Sequence, residues 1–488
     1  MKLSNATLSD LPDGISRPSY DRNGLTPGII HIGLGNFHRA HQARYLHCLM
    51  QQGLAHDWAI IGAGVRSYDE AQRQKLAAQD YLTTLIELDP AGQSIEVVGS
   101  MIDYVPIEKD NSNLIERMTD PSIRIVSLTV TESGYYIDPV SKQFDVSDPD
   151  IQHDVAHPEA PMTAFGAIVA ALKMRRASGA GPFTVQSCDN LQGNGNLLRQ
   201  TVVSLARLTD QELAGWIDQN CSFPNSMVDC IVPATGPKEL ALAKQLGVDD
   251  AVPVTHENFR QWVIEDKFCA GRPDWNKAGA IFSDDVHAYE TMKIRILNGG
   301  HQIVANAGEI LSMETISDCM AHPLIGALFR KVASEEIVPL VPAVPDMTAE
   351  DYVQVIDRRF SNPEIIDTVR RVAFDGSSRH TGFLLPTLRE SLASGGSIEG
   401  LALVQALWAR MCQGTREDGS LIEANDPIWD ALNAVANIAR TDPQAWLNQD
   451  NLYGDLGTND RLSESFGRWL KLIWDDGTEA ALKTYLNG

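Results

Sequence analysis

A short apolar run followed at once by two glycines is the feature that most constrains the fold. Residues 29–32 are apolar or imidazole-bearing, Pro-Gly precedes them, and Gly33-Leu-Gly35 follows them. This pattern predicts a strand, a tight turn at Gly33 and a backbone approach to pyrophosphate at Gly35, where a helix begins. The third glycine of the usual dinucleotide fingerprint is replaced by His38. Alone, the pattern also fits an ordinary glycine turn.

The residues that follow complete a strand, helix and strand unit. A helical pattern runs to about Met50, and a second apolar run covers residues 58–65. This unit is the half-site of a dinucleotide-binding fold, so we expect NAD as cofactor. Asp69 comes soon after the second run, where a carboxylate can accept from a ribose hydroxyl, although the usual spacing is shorter, about 20 residues. The alternative for Asp69 is an acid at a helix N-terminus.

The distribution of strand and helix patterns divides the chain. The first half alternates β-rich and helical runs, which predicts a mostly parallel sheet covered by helices; examples are residues 123–131, 162–174 and 183–187. From about Tyr289 the strand patterns nearly vanish, and helical patterns cover residues 324–333, 349–360, 364–372 and 401–412. We therefore predict an α/β protein with a Rossmann-type doubly wound domain over residues 1–285. A mainly α-helical domain, expected to bind substrate, covers residues 286–488, with the ligand cleft at the domain interface.

A second stretch carries four polar residues on an apolar helix. At about 100° per residue, Lys293, Glu290, His301 and Asn298 fall at roughly 0°, 60°, 80° and 140° of one helix. Buried polar groups cost stability unless each has a partner, so the cluster is either a satisfied structural network or a functional site. A base, a hydrogen-bond donor and a proton relay on one surface are what alcohol oxidation requires.

Composition limits the classes of partner. Asp and Glu number 64 against 40 Lys and Arg, a net charge of −24, which disfavours nucleic acid and anionic membranes and favours a neutral small substrate. Seven scattered cysteines without a Cys-x-x-Cys pair indicate reduced thiols and no clustered zinc ligands. No signal region opens the chain, and no apolar run approaches the roughly 20 residues that span a bilayer. We therefore expect a cytoplasmic protein that needs no metal.

Several motifs together resemble the long-chain polyol-specific dehydrogenase family. They are Gly33-x-Gly-x-Phe-His-Arg-Ala-His41, Asp80-Tyr-Leu82, Ser187-Cys-Asp-Asn190, Phe223-Pro-Asn-Ser-Met-Val-Asp229, Glu265-Asp-Lys-Phe268, Lys293-x4-Asn298-x2-His301 and Asp375-Gly-Ser-Ser-Arg379. The lysine motif is the most specific. The resemblance implies that Phe37 and Arg39 join Gly33, Gly35 and Asp69 in binding the cofactor.

The resemblance also implies catalytic roles. Lys293 would be the general base, with a pKa lowered by burial beside the cofactor's positive nicotinamide. Asn190 and Asn298 would donate hydrogen bonds to the developing alkoxide, His301 would orient a substrate hydroxyl, and Glu290 would pass the proton to solvent. The structural alternatives are a surface lysine, a turn asparagine, a core histidine and an i,i+3 ion pair of Glu290 with Lys293.

Asp229, Arg371 and Arg379 match family positions near the substrate, although each alone could be a surface charge. Arg379 departs from the pattern, since mannitol-oxidising members tend to carry lysine there. The expected activity is the reversible, NAD-dependent oxidation of D-mannitol to D-fructose by a monomer or weak oligomer. The alternatives are a hexuronate (fructuronate) reductase, a D-arabinitol or sorbitol dehydrogenase, and a non-catalytic NAD-binding sensor. Arg379 could hold a hexuronate carboxylate.

Overall fold

The computed structural model describes residues 2–138 and 143–488. The chain folds into two compact units, Met1–His287 and Ala288–Gly488. The predicted class is confirmed: the first unit is an α/β fold with a parallel central sheet, and the second is built from helices.

The first unit contains all of the β-strands in the described residues. They are β1 (Ile15–Ser16), β2 (Pro27–Ile32), β3 (Ala59–Ala63), β4 (Thr83–Asp89), β5 (Gly92–Val98), β6 (Met101–Tyr104), β7 (Ile125–Leu128), β8 (Thr184–Ser187), β9 (Ser226–Asp229), β10 (Val254–Glu257), β11 (Gln261–Ile264) and β12 (Ile281–Phe282).

The helices of this unit connect and cover the strands. The α-helices are α1 (Asn36–Ala40), α2 (Gln42–Gln51), α3 (Asp69–Ala77), α4 (Ser112–Thr119), α5 (Pro149–Ala156), α6 (Ala164–Ser178), α7 (Asn194–Thr209), α8 (Gln211–Asn220) and α9 (Pro237–Gln245). Short 3₁₀ helices cover Asn5–Asp10, Arg22–Gly24, Glu132–Tyr135 and Trp275–Ala278.

The central sheet has five parallel strands in the order β6-β3-β2-β7-β8. The chain starts in the middle at β2, proceeds to one edge through β3 and β6, and then returns to β7 on the other side of β2. Strand order therefore reverses between β2 and β7, and such a switch point opens a crevice at the carboxyl ends of the strands. The glycine turn after β2 lies at this crevice.

Both faces of the central sheet are buried, as parallel sheets require. Alternate residues of β2 belong to different hydrophobic clusters: Ile30 and Ile32 pack with residues of α4, α6 and α7, whereas Ile29 packs with residues of α2. This alternation explains why the strand is apolar at nearly every position instead of every second one.

Two further sheets were not predicted. A four-stranded sheet has the order β1-β5-β4-β10, with β4 and β5 paired antiparallel, and a three-stranded sheet has the order β12-β11-β9. Strand β4 pairs with β10, about 170 positions later in the chain (Leu85 beside Val254). Pairing at such separation leaves no local pattern in the sequence.

The second unit begins within α10 and is helical. Its α-helices are α10 (Val286–Met292), α11 (Gly299–Ile310), α12 (Ile316–Ala321), α13 (Pro323–Val332), α14 (Ala349–Phe360), α15 (Val369–Ala373), α16 (Gly376–Arg379), α17 (Leu385–Ser394), α18 (Glu399–Cys412), α19 (Trp429–Ala439), α20 (Gln444–Leu447), α21 (Asp460–Asp476) and α22 (Thr478–Asn487). Three π-helical segments cover Lys293–Asn298, Ala333–Ile337 and His380–Leu384, and 3₁₀ helices cover Val338–Leu340 and Gly454–Thr458. Across residues 2–138 and 143–488, no helix combines the length and apolar character that crossing a bilayer demands.

Three predicted elements have different bounds. The helix after the glycines is broken at His41, whose φ and ψ of −115° and −98° separate α1 from α2. The helix predicted over residues 364–372 begins only at Val369, because Thr368 adopts an extended conformation and caps it by accepting from the Arg371 N–H. The strand predicted over residues 123–131 is confined to β7.

Candidate functional site

A cleft of about 270 Å³ lies at the switch point of the first unit. It contains Gly33, Gly35 and Asp69, three of the residues predicted to bind the cofactor. The other lining residues are Ile32, Leu34, Val65, Arg66, Tyr68, Thr129, Val130, Thr131, Gly134, Tyr136, Met162, Thr163, Ala164 and Phe165. The structure therefore brings together the glycine turn and the acid that the sequence separates by more than 30 residues.

The glycine turn has the conformation that its residue types predict. Gly33 has a φ of +89°, and a Cβ there would lie 2.0 Å from the Thr129 carbonyl oxygen. The Thr129 hydroxyl donates to the Gly33 carbonyl at 2.6 Å and fixes the turn to the end of β7. A Cβ on Gly35 would meet no atom within 4 Å. The turn therefore offers an open backbone face beside the start of α1, which fits a pyrophosphate group.

His38 occupies the position of the missing third glycine because it packs into the core. Its ring stacks on the His31 ring of β2 at a centroid distance of 3.5 Å, and both residues are buried. Burial lowers the pKa of His31 to about 3, and burial followed by the neighbouring His31 lowers the pKa of His38 well below its usual value. The two rings are therefore neutral and are buried together in the core.

Arg39 hydrogen-bonds to the glycine turn, and Phe37 packs on the residue that follows α1. Phe37 stacks on His41 at 4.8 Å. Arg39 is 1% exposed and donates to the Gly35 carbonyl at 3.3 Å, to Asn36 Oδ1 at 2.6 Å and to the Val252 carbonyl. Neither side chain is among the described residues that line the cleft. Direct contact of these two residues with a cofactor stays a prediction.

Asp69 lies at a helix N-terminus and also in the cleft. It is the first residue of α3, and it lines the cleft. Its Oδ2 accepts from the Arg66 N–H at 3.1 Å, and a Cβ on Gly64 would lie 2.5 Å from the Asp69 side chain, so the glycine makes room for the acid. Burial raises the pKa of Asp69, against the hydrogen bonds from the backbone of Arg66 and Val65. Its neighbour Tyr68 is 74% exposed.

In the second unit, the lysine-bearing segment is buried and is not a plain α-helix. Glu290 and Lys293 are 5% and 6% exposed, which excludes a surface lysine. Residues Lys293–Asn298 form a π-helical turn. In a π-helix the hydrogen bond joins residues five apart, so residues 293 and 298 lie about one turn apart and face nearly the same side. The predicted angle of about 140° between them, which assumed α geometry, is therefore wrong.

Asn298 and His301 continue this polar surface. The buried Asn298 Oδ1 has no hydrogen-bond partner in the part of the chain that the structure describes. A buried amide oxygen without a partner is a place where a bound hydroxyl group gains a hydrogen bond. The His301 ring stacks on Phe360 at 4.2 Å, which fixes its orientation.

Asp367 joins three of the predicted residues and was missed by the sequence analysis. Its carboxylate accepts two hydrogen bonds from Arg371, at 2.8 and 2.6 Å, and lies 3.8 Å from His301 Nε2. Burial raises the pKa of Asp367, while the charges of Arg371 and Arg379 oppose that shift. Arg379 itself donates to the Val372 carbonyl at 2.6 Å. In the sequence, Asp367 was an ordinary acid within a predicted helix.

The remaining two candidates belong to the first unit. Asn190 is exposed and follows β8 by three residues, at the carboxyl edge of the central sheet. Asp229 ends β9 and is 6% exposed, so it is not a surface charge. Within residues 2–138 and 143–488, no group of three or more His, Cys, Asp or Glu side chains is arranged to hold a metal ion.

Comparisons with known proteins cover both units. The family model described as "Mannitol dehydrogenase Rossmann domain" matches residues 27–277, and the "Mannitol dehydrogenase C-terminal domain" matches residues 285–474. A mannitol 2-dehydrogenase of Cereibacter sphaeroides is 56% identical over 472 residues, which are 97% of this chain and 99% of that protein.

Two solved structures are similar over nearly the full length. Pseudomonas fluorescens mannitol 2-dehydrogenase, in a ternary complex with NAD and D-mannitol, has a TM-score of 0.86 and 40% identity over 100% of both chains. A D-sorbitol dehydrogenase in substrate-free form has a TM-score of 0.92 and 33% identity over 99% of this chain and 100% of that chain.

Proposed function

The chain belongs to the mannitol dehydrogenase family, and on that premise we propose that it is an NAD-dependent polyol dehydrogenase that interconverts D-mannitol and D-fructose. One observation carries the proposal: Lys293 is buried, with Glu290 one helical turn before it and Asn298 one π turn after it. A base, a proton acceptor and an amide on one rigid segment suit the oxidation of an alcohol.

Lys293 is the proposed general base. Its Nζ removes the proton of the reacting hydroxyl group, and burial favours the neutral amine that this step requires over the ammonium form. Glu290, which is also buried, takes the proton onward to solvent. The same residues can return the proton in the reverse direction, so the proposal includes reduction of the ketose. When NAD is bound, its nicotinamide supplies the hydride acceptor.

Amide groups are proposed to stabilise the alkoxide. Asn298 donates from its Nδ2 to the substrate oxygen, while its unpartnered Oδ1 is free to accept from a further hydroxyl group. Asn190 remains the proposed second donor. A neutral amide suits this task because it stabilises negative charge without giving up a proton.

The arrangement around Asp367 favours a neutral substrate over a hexuronate. Both forked donors of Arg371 are already engaged by the Asp367 carboxylate, and Arg379 donates to a backbone carbonyl. A substrate carboxylate would therefore compete with a buried internal anion. Hydroxyl groups carry no such charge, and they can share the oxygens of Asp367 and the ring of His301.

A substrate panel tests the proposal directly. We expect NADH formation from D-mannitol, NADH consumption with D-fructose, weaker activity with D-sorbitol and D-arabinitol, and no loss of activity in a chelator. Fructuronate reduction with negligible mannitol oxidation would select the hexuronate reductase. Binding of NADH without turnover of any panel member would select the sensor, and activity abolished by a chelator and restored by zinc would overturn metal independence.

Replacing Arg379 by lysine separates the two substrate classes. For a neutral polyol, Arg379→Lys should change kcat/KM for mannitol by less than about threefold, with little dependence on salt. For a hexuronate, loss of the planar guanidinium fork should raise KM by tenfold or more, about 1.4 kcal/mol. Steady-state kinetics at low and high ionic strength distinguish these outcomes.

Replacing Asp69 tests cofactor preference. The Asp69 carboxylate accepts from ribose hydroxyls and repels a 2′-phosphate, so we expect Asp69→Ala to narrow the preference for NAD over NADP by about tenfold. Asp69→Asn keeps an acceptor for the Arg66 N–H and isolates the effect of charge.

The control for this prediction is Glu70→Ala. Glu70 is the next residue of α3, and its carboxylate pairs with Arg73 at 2.7 Å. The ratio of kcat/KM with NAD to kcat/KM with NADP should stay within about twofold of the ratio for the unmodified protein. If the unmodified protein used NAD and NADP equally well, the prediction that Asp69 discriminates between them would be contradicted.

A further inference from the structure

Asp189 links the ends of two central strands through its buried carboxylate. The residue follows β8 and is 8% exposed. Its oxygens accept from the Val130 N–H at 3.1 Å, from the Thr131 N–H at 3.0 Å and from the Tyr135 hydroxyl at 2.7 Å. Val130 and Thr131 follow β7 and line the cleft at the switch point. A carboxylate at the end of one strand therefore holds the cleft wall at the end of its neighbour.

The segment that Asp189 holds is strained. Thr131 has a φ of +67° and a ψ of 165°, a conformation that is essentially restricted to glycine. Such a conformation persists only where surrounding contacts impose it. The two hydrogen bonds from the backbone of Val130 and Thr131 to one carboxylate are contacts of this kind. Strain of this kind clusters at ligand sites, and here it lies in the wall of the cleft.

Hydrogen bonds and chain neighbours connect this segment to the glycine turn and to the segment that carries Asn190. On one side, Thr129 donates to the carbonyl of Gly33 in the glycine turn. On the other side, Asp189 directly precedes Asn190, and its own carbonyl accepts from Asn194 Nδ2 at 3.0 Å. The chain of contacts thus runs from the glycine turn to the residue before the proposed alkoxide donor.

We propose that Asp189 is a positioning residue that holds Val130 and Thr131 in the geometry that binds NAD. This inference rests on the cofactor part of the proposed function. Asparagine has the same shape but only one acceptor oxygen, so Asp189→Asn turns an amide N–H toward a backbone N–H and releases part of the segment. Loss of hydrogen bonds to a charged group should raise the Kd for NADH by about tenfold or more.

The test is a fluorescence titration of the full chain with NADH, without substrate. Glu336→Gln is the matched control, because Glu336 is also a buried carboxylate that accepts from two backbone N–H groups, those of Gly400 and Leu401, and from one hydroxyl, that of Ser397. Both variants should lose thermal stability. Only Asp189→Asn should weaken NADH binding, while the Kd of Glu336→Gln stays within about twofold.

A double-variant cycle tests the role of strain. Glycine adopts the backbone conformation of residue 131 without steric cost, so it needs less restraint from Asp189. We expect Asp189→Asn to raise the Kd for NADH by about tenfold when residue 131 is threonine but less than about threefold in the Thr131→Gly background. An equal effect in both backgrounds would contradict the proposed restraint of Thr131.

The outcomes separate this inference from the proposed function. If the unmodified chain does not bind NADH, the cofactor proposal itself fails. If the unmodified chain binds NADH and folded Asp189→Asn binds it equally well, Asp189 has only a structural role and the inference is overturned. If Asp189→Asn does not fold, Asp189→Glu is tested in its place, because it keeps the charge but displaces it by one methylene group. Unchanged NADH affinity in Asp189→Glu would then refute the inference, and a several-fold rise in Kd would support it.

Discussion

Replacing Lys293 by alanine is expected to lower kcat for mannitol by about 10³-fold while the Kd for NADH changes less than about threefold. The loss follows from removing the buried amine that takes the hydroxyl proton in the proposed mechanism. Stopped-flow or steady-state NADH absorbance gives the turnover, and fluorescence titration gives the affinity. An added small primary amine should restore part of the activity.

Lys331→Ala provides the control for this variant. Lys331 lies in α13 of the same unit, and its Nζ donates to the carbonyl of Tyr485 at 3.1 Å. Its removal costs packing and one hydrogen bond but touches none of the proposed catalytic residues, so kcat should remain within about threefold. Near-normal turnover in Lys293→Ala would contradict the assignment of Lys293 as the general base.

Replacing Asn298 by alanine is the second large effect, an expected loss of 10² to 10³ in kcat, or about 2.7 to 4 kcal/mol of barrier. The amide faces nearly the same side of the helix as Lys293, and its buried oxygen has no partner within the described residues. Removing it therefore costs the folded protein little and costs the reaction much. Single-turnover kinetics should assign the loss to the chemical step and not to NADH binding.

Asn306→Ala gives the opposite pattern. This buried amide of α11 donates to the Gln302 carbonyl at 3.0 Å and hydrogen-bonds with His380 at 2.8 Å. Its loss should lower the free energy of unfolding by about 1 to 3 kcal/mol and leave kcat within about fivefold. Similar turnover losses in both variants would mean that Asn298 acts through stability and not through the alkoxide.

The parts of the fold that were predicted correctly are those that depend on neighbouring residues. The strand, the tight turn at Gly33 and the acid at Asp69 lie within about 45 positions and obey local rules of backbone geometry and charge. In the sequence, the replacement of the third glycine by His38 weakened the match to the dinucleotide fingerprint. It reflects a core contact with His31, and a contact between two histidines of different elements leaves no mark in the apolar periodicity of either element.

The parts that escaped prediction depend on distant residues or on departures from ideal helix geometry. Asp367 is more than 60 positions from His301, and no spacing rule connects them. The π turn at Lys293–Asn298 is invisible to an analysis that assumes 100° per residue, because its residue types are ordinary helix formers. The bond between Asp189 and Thr131 joins two loops that are nearly 60 positions apart.

The π turn sets how far apart along the chain the lysine and the asparagine stand when they face one side. A π turn contains one residue more than the α turn it replaces. If residues 293–298 closed ideal α turns without losing a residue, position 298 would lie about 140° from Lys293, and His301 would rotate with it. Removing one residue between them would instead leave the asparagine four positions after the lysine of an α-helix, about 40° away, so the shared side would survive. A relative with a plain α-helix here therefore needs a spacing of four, and a one-residue gap in this segment between two family members is compatible with one shared arrangement of the two side chains.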